Sequence, residues 1–229
     1  MKKLILLFFM CFAVLASTYA QIKFMPKIGG SLSKVSFSED FFGPDVDIKP
    51  KIGIIVGVAA EIPLIGETLA LQPELLFHQK GFKFDDPGDG EYTEEGSATL
   101  NYLELPVLAK IKFGKFYAIA GPSFSYGIGG KYKSTLHDLT QGTTDESSSN
   151  IKFKERPDNY QGDDVFLDNA FDMGVQLGVG MKISVIVIDL RYGMGLTNLY
   201  DKPDGSPYDY KSKNGSVQLT VGIPLPMGD

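Results

Sequence analysis

The sequence predicts an all-β protein, an eight-stranded antiparallel up-and-down transmembrane β-barrel, and three observations support this. Apolar and polar residues alternate with a period of two over runs of ten or more residues, the length that crosses an outer-membrane hydrocarbon layer when a strand is tilted. Short and long connections alternate between the runs, as in outer-membrane barrels. Helical periodicity is scarce, and glycine is frequent inside the apolar runs, which also favours strands.

The clearest pattern lies in Thr99–Tyr132, where two long runs are joined by Gly114-Lys115. In the first run one face is continuously apolar, and it consists of Leu103, Leu105, Val107, Ala109, Ile111 and Phe113. The opposite face carries Tyr102, Glu104, Leu108, Lys110 and Lys112. We interpret this segment as a transmembrane β-hairpin whose pattern the rest of the chain repeats.

The N-terminal segment has the features of a cleaved secretory signal peptide. Two lysines precede the apolar stretch Leu4–Leu15, and small residues lead to a cleavage site after Ala20. We therefore expect residues 1–20 to be the signal peptide and residues 21–229 to form one barrel domain in the outer membrane. Cys11 is the single cysteine, so the mature chain has no disulfide.

Charge and hydropathy exclude other classes of protein. Removal of Lys2 and Lys3 changes the formal net charge from −6 to −8, so we expect no nucleic-acid partner. After the signal peptide no run approaches eighteen apolar residues, so we expect no transmembrane helix.

Eight strands are predicted, and the connections between them alternate in length. The strands are Phe24–Phe37, Lys51–Ile62, Leu69–Phe84, Thr99–Phe113, Phe116–Tyr132, Asp168–Lys182, Val185–Leu196 and Gly215–Leu225. The short connections are Pro63–Thr68, Gly114-Lys115 and Ile183-Ser184, and the long ones are Ser38–Pro50, Asp85–Ala98, Lys133–Leu167 and Thr197–Asn214. We expect short periplasmic turns, longer extracellular loops, and both termini in the periplasm.

A period of two does not determine which face points outward. A soluble lipocalin-like barrel would place the apolar face inside, around an apolar ligand. Long strands, unequal connections and a polar face that combines glycines with paired charges favour the membrane orientation. We therefore expect a monomeric barrel in contact with outer-membrane lipid.

Several segments resemble one protein family. Leu71–Gly81, Leu100–Lys110 and Ala120–Phe124 are similar to the PorT-family outer-membrane β-barrel proteins of the Bacteroidetes, and Asp189–Asn198 and Val217–Pro224 follow the same pattern. The most specific features are the Leu-Pro and Gly-Pro pairs in the second and third segments. The resemblance implies an eight-stranded outer-membrane barrel, and it implies no defined activity.

The strand phase places many polar residues in the barrel interior. They are Lys27, Glu61, Gln72, Glu74, His78, Glu104, Lys110, Asp172, Gln176, Asp189 and Arg191. One hypothesis is that Glu61, Glu74, His78, Glu104, Lys110, Asp189 and Arg191 form a polar network, in which Arg191 or Lys110 pairs with Glu74 or Glu104. The other is a narrow channel or small-solute carrier. Eight strands leave little lumen, which favours the network.

An enzyme is the third hypothesis. Some outer-membrane barrels act on lipid with histidine, serine and an acidic residue, and His78 with Glu74 and Ser123 or Ser125 would supply these groups. The strand phase turns His78 inward, so we expect no catalytic residue. Asp85–Glu91 is rich in oxygen ligands but lacks EF-hand spacing. We expect no metal and no cofactor.

The long connection Lys133–Leu167 is the expected recognition element, because connections of this length are functional or disordered. Phe153, Arg156 and Tyr160 are candidate partner contacts. The expected function is structural or interactive, with an envelope protein or a polysaccharide as partner.

Overall fold

The computed structural model describes residues 22–37, 45–88, 90–157, 159–200 and 211–226. The predicted signal peptide lies outside the described residues, as do 38–44 and 201–210 from two predicted loops. The strands are β1 (Lys23–Phe37), β2 (Asp47–Ile65), β3 (Leu69–Asp86), β4 (Tyr92–Phe113), β5 (Phe116–Asp138), β6 (Thr143–Phe153), β7 (Val165–Leu167), β8 (Phe171–Ile183), β9 (Ile186–Gly195), β10 (Ser212–Gly222) and β11 (Leu225–Pro226).

Eight of these strands close into a ring, which confirms the predicted fold. The order around the ring is β4-β3-β2-β1-β10-β9-β8-β5, and β4 pairs with β5 to close it. All the ring pairings are antiparallel. Among the described residues no helix has the length and apolar character that crossing a membrane requires.

The short connections lie together at one end of the ring. Phe113 pairs with Phe116 around a two-residue turn, and Gly114 has a φ of +64°, a backbone conformation that glycine adopts without steric cost. The turn between β8 and β9 is shifted by one residue from the prediction, because Ile183 pairs with Ile186 and leaves Ser184-Val185 as the turn. The first residues of β1 and the last residues of β10 also lie at this end of the barrel.

The apolar face of each ring strand points outward. On β10, Leu219 is 54% exposed whereas its neighbour Gln218 is 1% exposed. On β1, Ile28 is 67% exposed and Lys27 is 3% exposed. The soluble lipocalin-like alternative is therefore wrong, since it requires the opposite orientation. The exposed apolar side chains form a belt around the barrel that faces lipid.

Beyond this belt, one side of the barrel continues as an extracellular sheet. It consists of residues 47–50 of β2, 82–86 of β3, 92–99 of β4, 131–138 of β5 and β6. Tyr92 pairs with Asp138, and Asp138 pairs with Thr143 of β6. The sequence predicted long loops at Asp85–Ala98 and Lys133–Leu167, but most of both segments is strand. The strands were missed because residues 143–148 of β6 are exposed without alternation, which leaves no apolar face to mark a strand.

The outward belt yields a prediction about stability. Ile28 lies midway along the exposed apolar side chains of β1, between Phe24 and Leu32. We expect Ile28→Arg to lower the free energy of unfolding in lipid vesicles by about 2–4 kcal/mol, because the charge enters hydrocarbon. Urea titration monitored by far-UV circular dichroism measures this change.

Leu136→Arg is the matched control. Leu136 is also exposed, at 38%, but it lies in the extracellular sheet, so the same substitution should change stability by less than about 0.5 kcal/mol. Equal losses at the two positions would contradict the assigned belt.

Candidate functional site

The inward face of β3 shows how the interior is layered. From the periplasmic to the extracellular end, it presents Glu74, His78, Lys80, Phe82 and Phe84, all of them buried. The interior is therefore polar at mid-barrel and apolar towards the cell surface. The structure buries every residue of the hypothesised polar network, namely Glu61, Glu74, His78, Glu104, Lys110, Asp189 and Arg191.

A four-charge cluster occupies the middle of the barrel. Arg191 on β9 donates two hydrogen bonds of 2.7 Å to the carboxylate of Glu74 on β3, a bidentate geometry that fixes both side chains. Its Nη2 also donates to Asp189 at 2.8 Å. Lys27 on β1 donates to Glu74 at 3.0 Å and forms an ion pair with Asp189. Two cations and two carboxylates thus neutralise each other.

A second cluster lies on the periplasmic side. Lys110 donates to Glu61 at 2.8 Å and to Gln72 at 3.0 Å, and its Nζ lies 4.0 Å from the ring centroid of Tyr117. Lys112 donates to the other carboxylate oxygen of Glu61 at 2.8 Å. Glu61 is therefore held between two lysines.

Strand register explains why Lys110 pairs with Glu61. The sequence hypothesis joined Lys110 to Glu74 or Glu104, but Lys110 lies opposite Ala70, four residues nearer the periplasm than Glu74. Glu61 of β2 lies near the level of Ala70, because Ile62 pairs with Leu71. Sequence alternation gives the face of a residue but not its height in the barrel, which register decides.

His78 lies in a third cluster on the extracellular side. Its Nδ1 is 2.5 Å from Glu104, whereas Glu74, the acidic partner in the enzyme hypothesis, is bound by Arg191. Ser125 accepts a hydrogen bond from Lys80 at 3.2 Å. His78 is fully buried, so this histidine has no access to a lipid substrate.

The buried charges balance across the three clusters. Four buried cations, Lys27, Lys80, Lys110 and Arg191, and the half-buried Lys112 face five buried carboxylates, Glu61, Glu74, Glu104, Asp172 and Asp189. Burial of an unpaired charge costs several kcal/mol, so this equality stabilises the closed interior. In the third cluster, beside Asp172 and Glu104, the side chains leave a cavity of about 10 Å³.

An apolar plug closes the extracellular end of the interior. It is formed by the buried side chains Val35, Phe82, Phe84, Ala98, Leu100, Tyr102, Ile151, Leu167 and Leu199. Ile151 and Leu167 come from β6 and β7, and the segment that carries Leu199 is fixed by a 2.9 Å backbone hydrogen bond to Ser212. The plug therefore depends on segments that were predicted as loops.

The sequence analysis missed two interior residues, although the alternation along their strands places both on the inward face. Lys80 has the same parity as His78 on β3, and Tyr117 is the first inward residue of β5. Tyr117 donates hydrogen bonds to Asp189 and, at 3.3 Å, to the carbonyl of Ile188. Continued alternation to the strand ends would have identified both.

Comparison with protein-family models identifies the class of the chain. The model of the outer membrane protein beta-barrel domain matches residues 17–201, which is more than half of the chain. The chain belongs to the outer membrane protein beta-barrel domain family. This membership places it in the outer membrane and assigns the short-turn end of the barrel to the periplasm.

Solved structures of outer-membrane barrels are similar to this family member at low sequence identity. Ail of Yersinia pestis, in complex with the heparin analogue sucrose octasulfate, is 13% identical, with a TM-score of 0.41 over 90% of this chain and 99% of that chain. Neisserial surface protein A is 11% identical, with a TM-score of 0.43 over 88% and 97%. Comparison with curated protein sequences finds no match.

The three candidate partner contacts occupy different environments in this barrel. Phe153 is half-buried, with its ring centroid 5.3 Å from that of Tyr102, and a Cβ at Gly127 would lie 2.6 Å from its ring. Phe153 thus packs against the plug. Arg156 is exposed. Tyr160 is half-buried, with its ring 4.9 Å from that of Phe166.

Asp164 fixes the connection between β6 and β7. It accepts hydrogen bonds from Lys152 and Tyr160 and from Asn150 at 3.4 Å. The bond from Lys152, followed by that from Tyr160, holds the pKa of the Asp164 carboxyl below its usual range. The described residues contain no cluster of three or more His, Cys, Asp or Glu side chains that could hold a metal ion.

The central charge cluster yields a prediction about coupling. Arg191→Met leaves Glu74 and Asp189 with Lys27 alone, so we expect the free energy of unfolding to fall by about 3–5 kcal/mol. In the Glu74→Gln/Arg191→Met double variant the remaining Lys27–Asp189 pair is neutral, so the loss should be smaller than in the single Arg191→Met variant. Urea titrations of the wild type, both single variants and the double variant give the coupling energy. If the loss in the double variant equals the sum of the losses in the two single variants, the charges of this cluster do not neutralise each other as proposed.

Asp164 yields a prediction about the β6–β7 connection. We expect Asp164→Asn to weaken the bonds to Lys152 and Tyr160 and to increase trypsin cleavage after the exposed Lys154 about tenfold, because cleavage requires local opening. Mass spectrometry of the fragments measures the rate. Asp163→Asn, a change in an exposed neighbour, is the control and should leave cleavage unchanged. Equal rates in the two variants would show that Asp164 does not fix the connection.

Proposed function

We propose that this barrel is a non-enzymatic interaction protein of the outer membrane, which binds an extended segment of an envelope protein along the outer edge of β6. The proposal rests on the strand pairing of residues 143–150. Their one described pairing is with β5, and β7 joins β6 only at residues 151–153. One edge of β6 is therefore open along residues 143–150 within the described part of the chain.

Burial supports an accessible edge. Residues 143–148 are exposed without alternation, so neither face of the strand is covered there. An open edge presents unpaired backbone N–H and C=O groups, and a partner strand satisfies them by adding to the sheet. Such backbone pairing gives affinity, and the flanking side chains give specificity.

The side chains along this edge favour a protein segment over an acidic polysaccharide. Asp145 and Glu146 stand beside the hydroxyl groups of Thr143, Thr144 and Ser147. These carboxylates repel acidic sugars and attract lysine or arginine on a peptide strand. We therefore propose a partner segment that carries basic residues.

The neutral interior supports this function over the channel alternative. A conducting pore needs a continuous path, whereas the cavity between the central charge cluster and the plug has a volume of about 10 Å³ and the plug covers the extracellular end. The buried His78 likewise supports a non-enzymatic role.

We further propose that the chain is of the PorT type of the Bacteroidetes, on the basis of its Leu-Pro and Gly-Pro motifs. Pro106 of the first motif pairs with Ser123, directly after the second motif. Gly121 is suited to the close approach there, since a Cβ would lie 2.2 Å from the Val107 carbonyl oxygen. The two motifs therefore form one local feature of the β4–β5 pairing.

A shortened hairpin tests the proposed function. Ser134 pairs with Ser147, so replacement of residues 135–146 by Asn-Gly closes a tight turn above this pair and removes the tip. We expect the variant to remain heat-modifiable in SDS gels and to lose at least tenfold of its crosslinking to other outer-membrane proteins in intact cells. Retention of the same crosslinked partners would contradict the proposal.

Two further measurements separate the alternatives. Successive residues in a strand point their N–H groups to opposite sides, so only one of Ser147→Pro and Ser148→Pro removes a donor from the open edge. Loss of crosslinking without loss of β5 pairing in that variant supports edge binding. Stepwise ion conductance of the wild-type protein in planar bilayers would instead support the channel.

A further inference from the structure

A basic cavity opens at the periplasmic end of the barrel. This cavity, the periplasmic vestibule, has a volume of about 640 Å³, within the range of small-molecule sites. Among the described residues, its lining includes Lys23, Lys110, Lys112, Lys115 and Lys182 and two carboxylates, Glu61 and Glu67. The vestibule is thus positive by three charges in a chain whose formal net charge is −6.

Three lysines that have no ion-pair partner among the described residues lie at the rim of the vestibule. Lys110 and Lys112 at its floor are already bound to Glu61. Lys23, Lys115 and Lys182 form no ion pair with any described residue. Cations in a concave site with low-dielectric walls raise the local concentration of anions. The rim is therefore suited to a phosphate group.

An apolar groove runs along the outer wall at the same end. Its volume is about 450 Å³, and its lining is almost entirely apolar, with Phe113, Phe116, Val179, Met181, Ile188 and Leu190. These side chains belong to the lipid-facing belt. A groove of this kind accepts an acyl chain.

The vestibule and the groove adjoin each other at the rim. Phe116 and Tyr117 line both of them. Lys115 and Lys182 line the vestibule on this side, and the N–H of Lys182 donates to the carbonyl of Lys115 at 2.7 Å, so the two lysines are neighbours. A positive rim thus separates a polar space open to the periplasm from an apolar space open to lipid.

We propose that this rim binds an anionic phospholipid of the periplasmic leaflet. The phosphate lies against Lys115 and Lys182 at the vestibule, and one acyl chain occupies the groove. A free phosphate would use only the first of these features, so the adjoining groove favours the lipid. The site lies at the opposite end of the barrel from β6, and its test is independent of partner binding there.

Lipid titration of the delipidated full-length protein tests the headgroup. Native mass spectrometry would compare phosphatidylglycerol with phosphatidylcholine for the wild type, for Lys115→Gln/Lys182→Gln, and for the control Lys131→Gln/Lys133→Gln in the exposed part of the extracellular sheet. We expect the wild type to prefer phosphatidylglycerol. The rim variant should lose roughly thirtyfold in affinity for it, with phosphatidylcholine binding unchanged, and the control should bind as the wild type does.

A second pair of variants tests the groove. Ala118 lines the groove, so Ala118→Phe fills it, whereas Ala120→Phe adds the same ring to the next outward position of β5. We expect only Ala118→Phe to weaken phosphatidylglycerol binding. The proposal is overturned if the wild type shows no headgroup preference, or if both lysine pairs reduce binding equally. It is also overturned if glycerol 1-phosphate competes fully and Ala118→Phe has no effect, which would make the site one for soluble phosphates.

Discussion

Closure of the eight-stranded ring is the constraint on which the other features depend. The hydrocarbon layer offers no water to backbone N–H and C=O groups, so every strand in it must pair on both sides. The pairing of β1 with β10, which are the first and last ring strands in the chain, is part of this closed circuit. Closure also gives the side chains two environments, because successive residues of each strand point alternately to lipid and to a narrow interior.

A narrow interior then dictates its own chemistry. Charged side chains within it must neutralise each other, and the ion pairs of the interior, which join five cations to five carboxylates, achieve this. The bidentate contact between Arg191 and Glu74 links β9 to β3 across the barrel. Because the middle of the barrel is closed and neutral, the two proposed binding surfaces lie at its ends. These are the open edge of β6 outside the cell and the basic rim on the periplasmic side.

Much of the fold was predictable because alternation survives in the sequence. Leu103 to Phe113 and Val217 to Leu225 keep their apolar parity over the whole belt, so strand positions and faces followed directly. The predictions failed where strands leave the membrane. Thr143–Phe153 has no apolar face to mark it as a strand, yet it pairs with β5 along nine residues of its length. The plug was missed for the same reason, since Ile151, Leu167 and Leu199 lie in segments that composition assigned to loops.

The sequence by itself determined the class of protein, the number of ring strands and the face on which each charge lies. These properties depend on local periodicity, which the chain carries residue by residue. Only the tertiary structure decided which charges meet. Lys110 binds Glu61 and not Glu74, and His78 meets Glu104, because strand register sets the height of each side chain. Register is fixed by hydrogen bonding between strands that are distant in the chain, so alternation within one strand does not contain it.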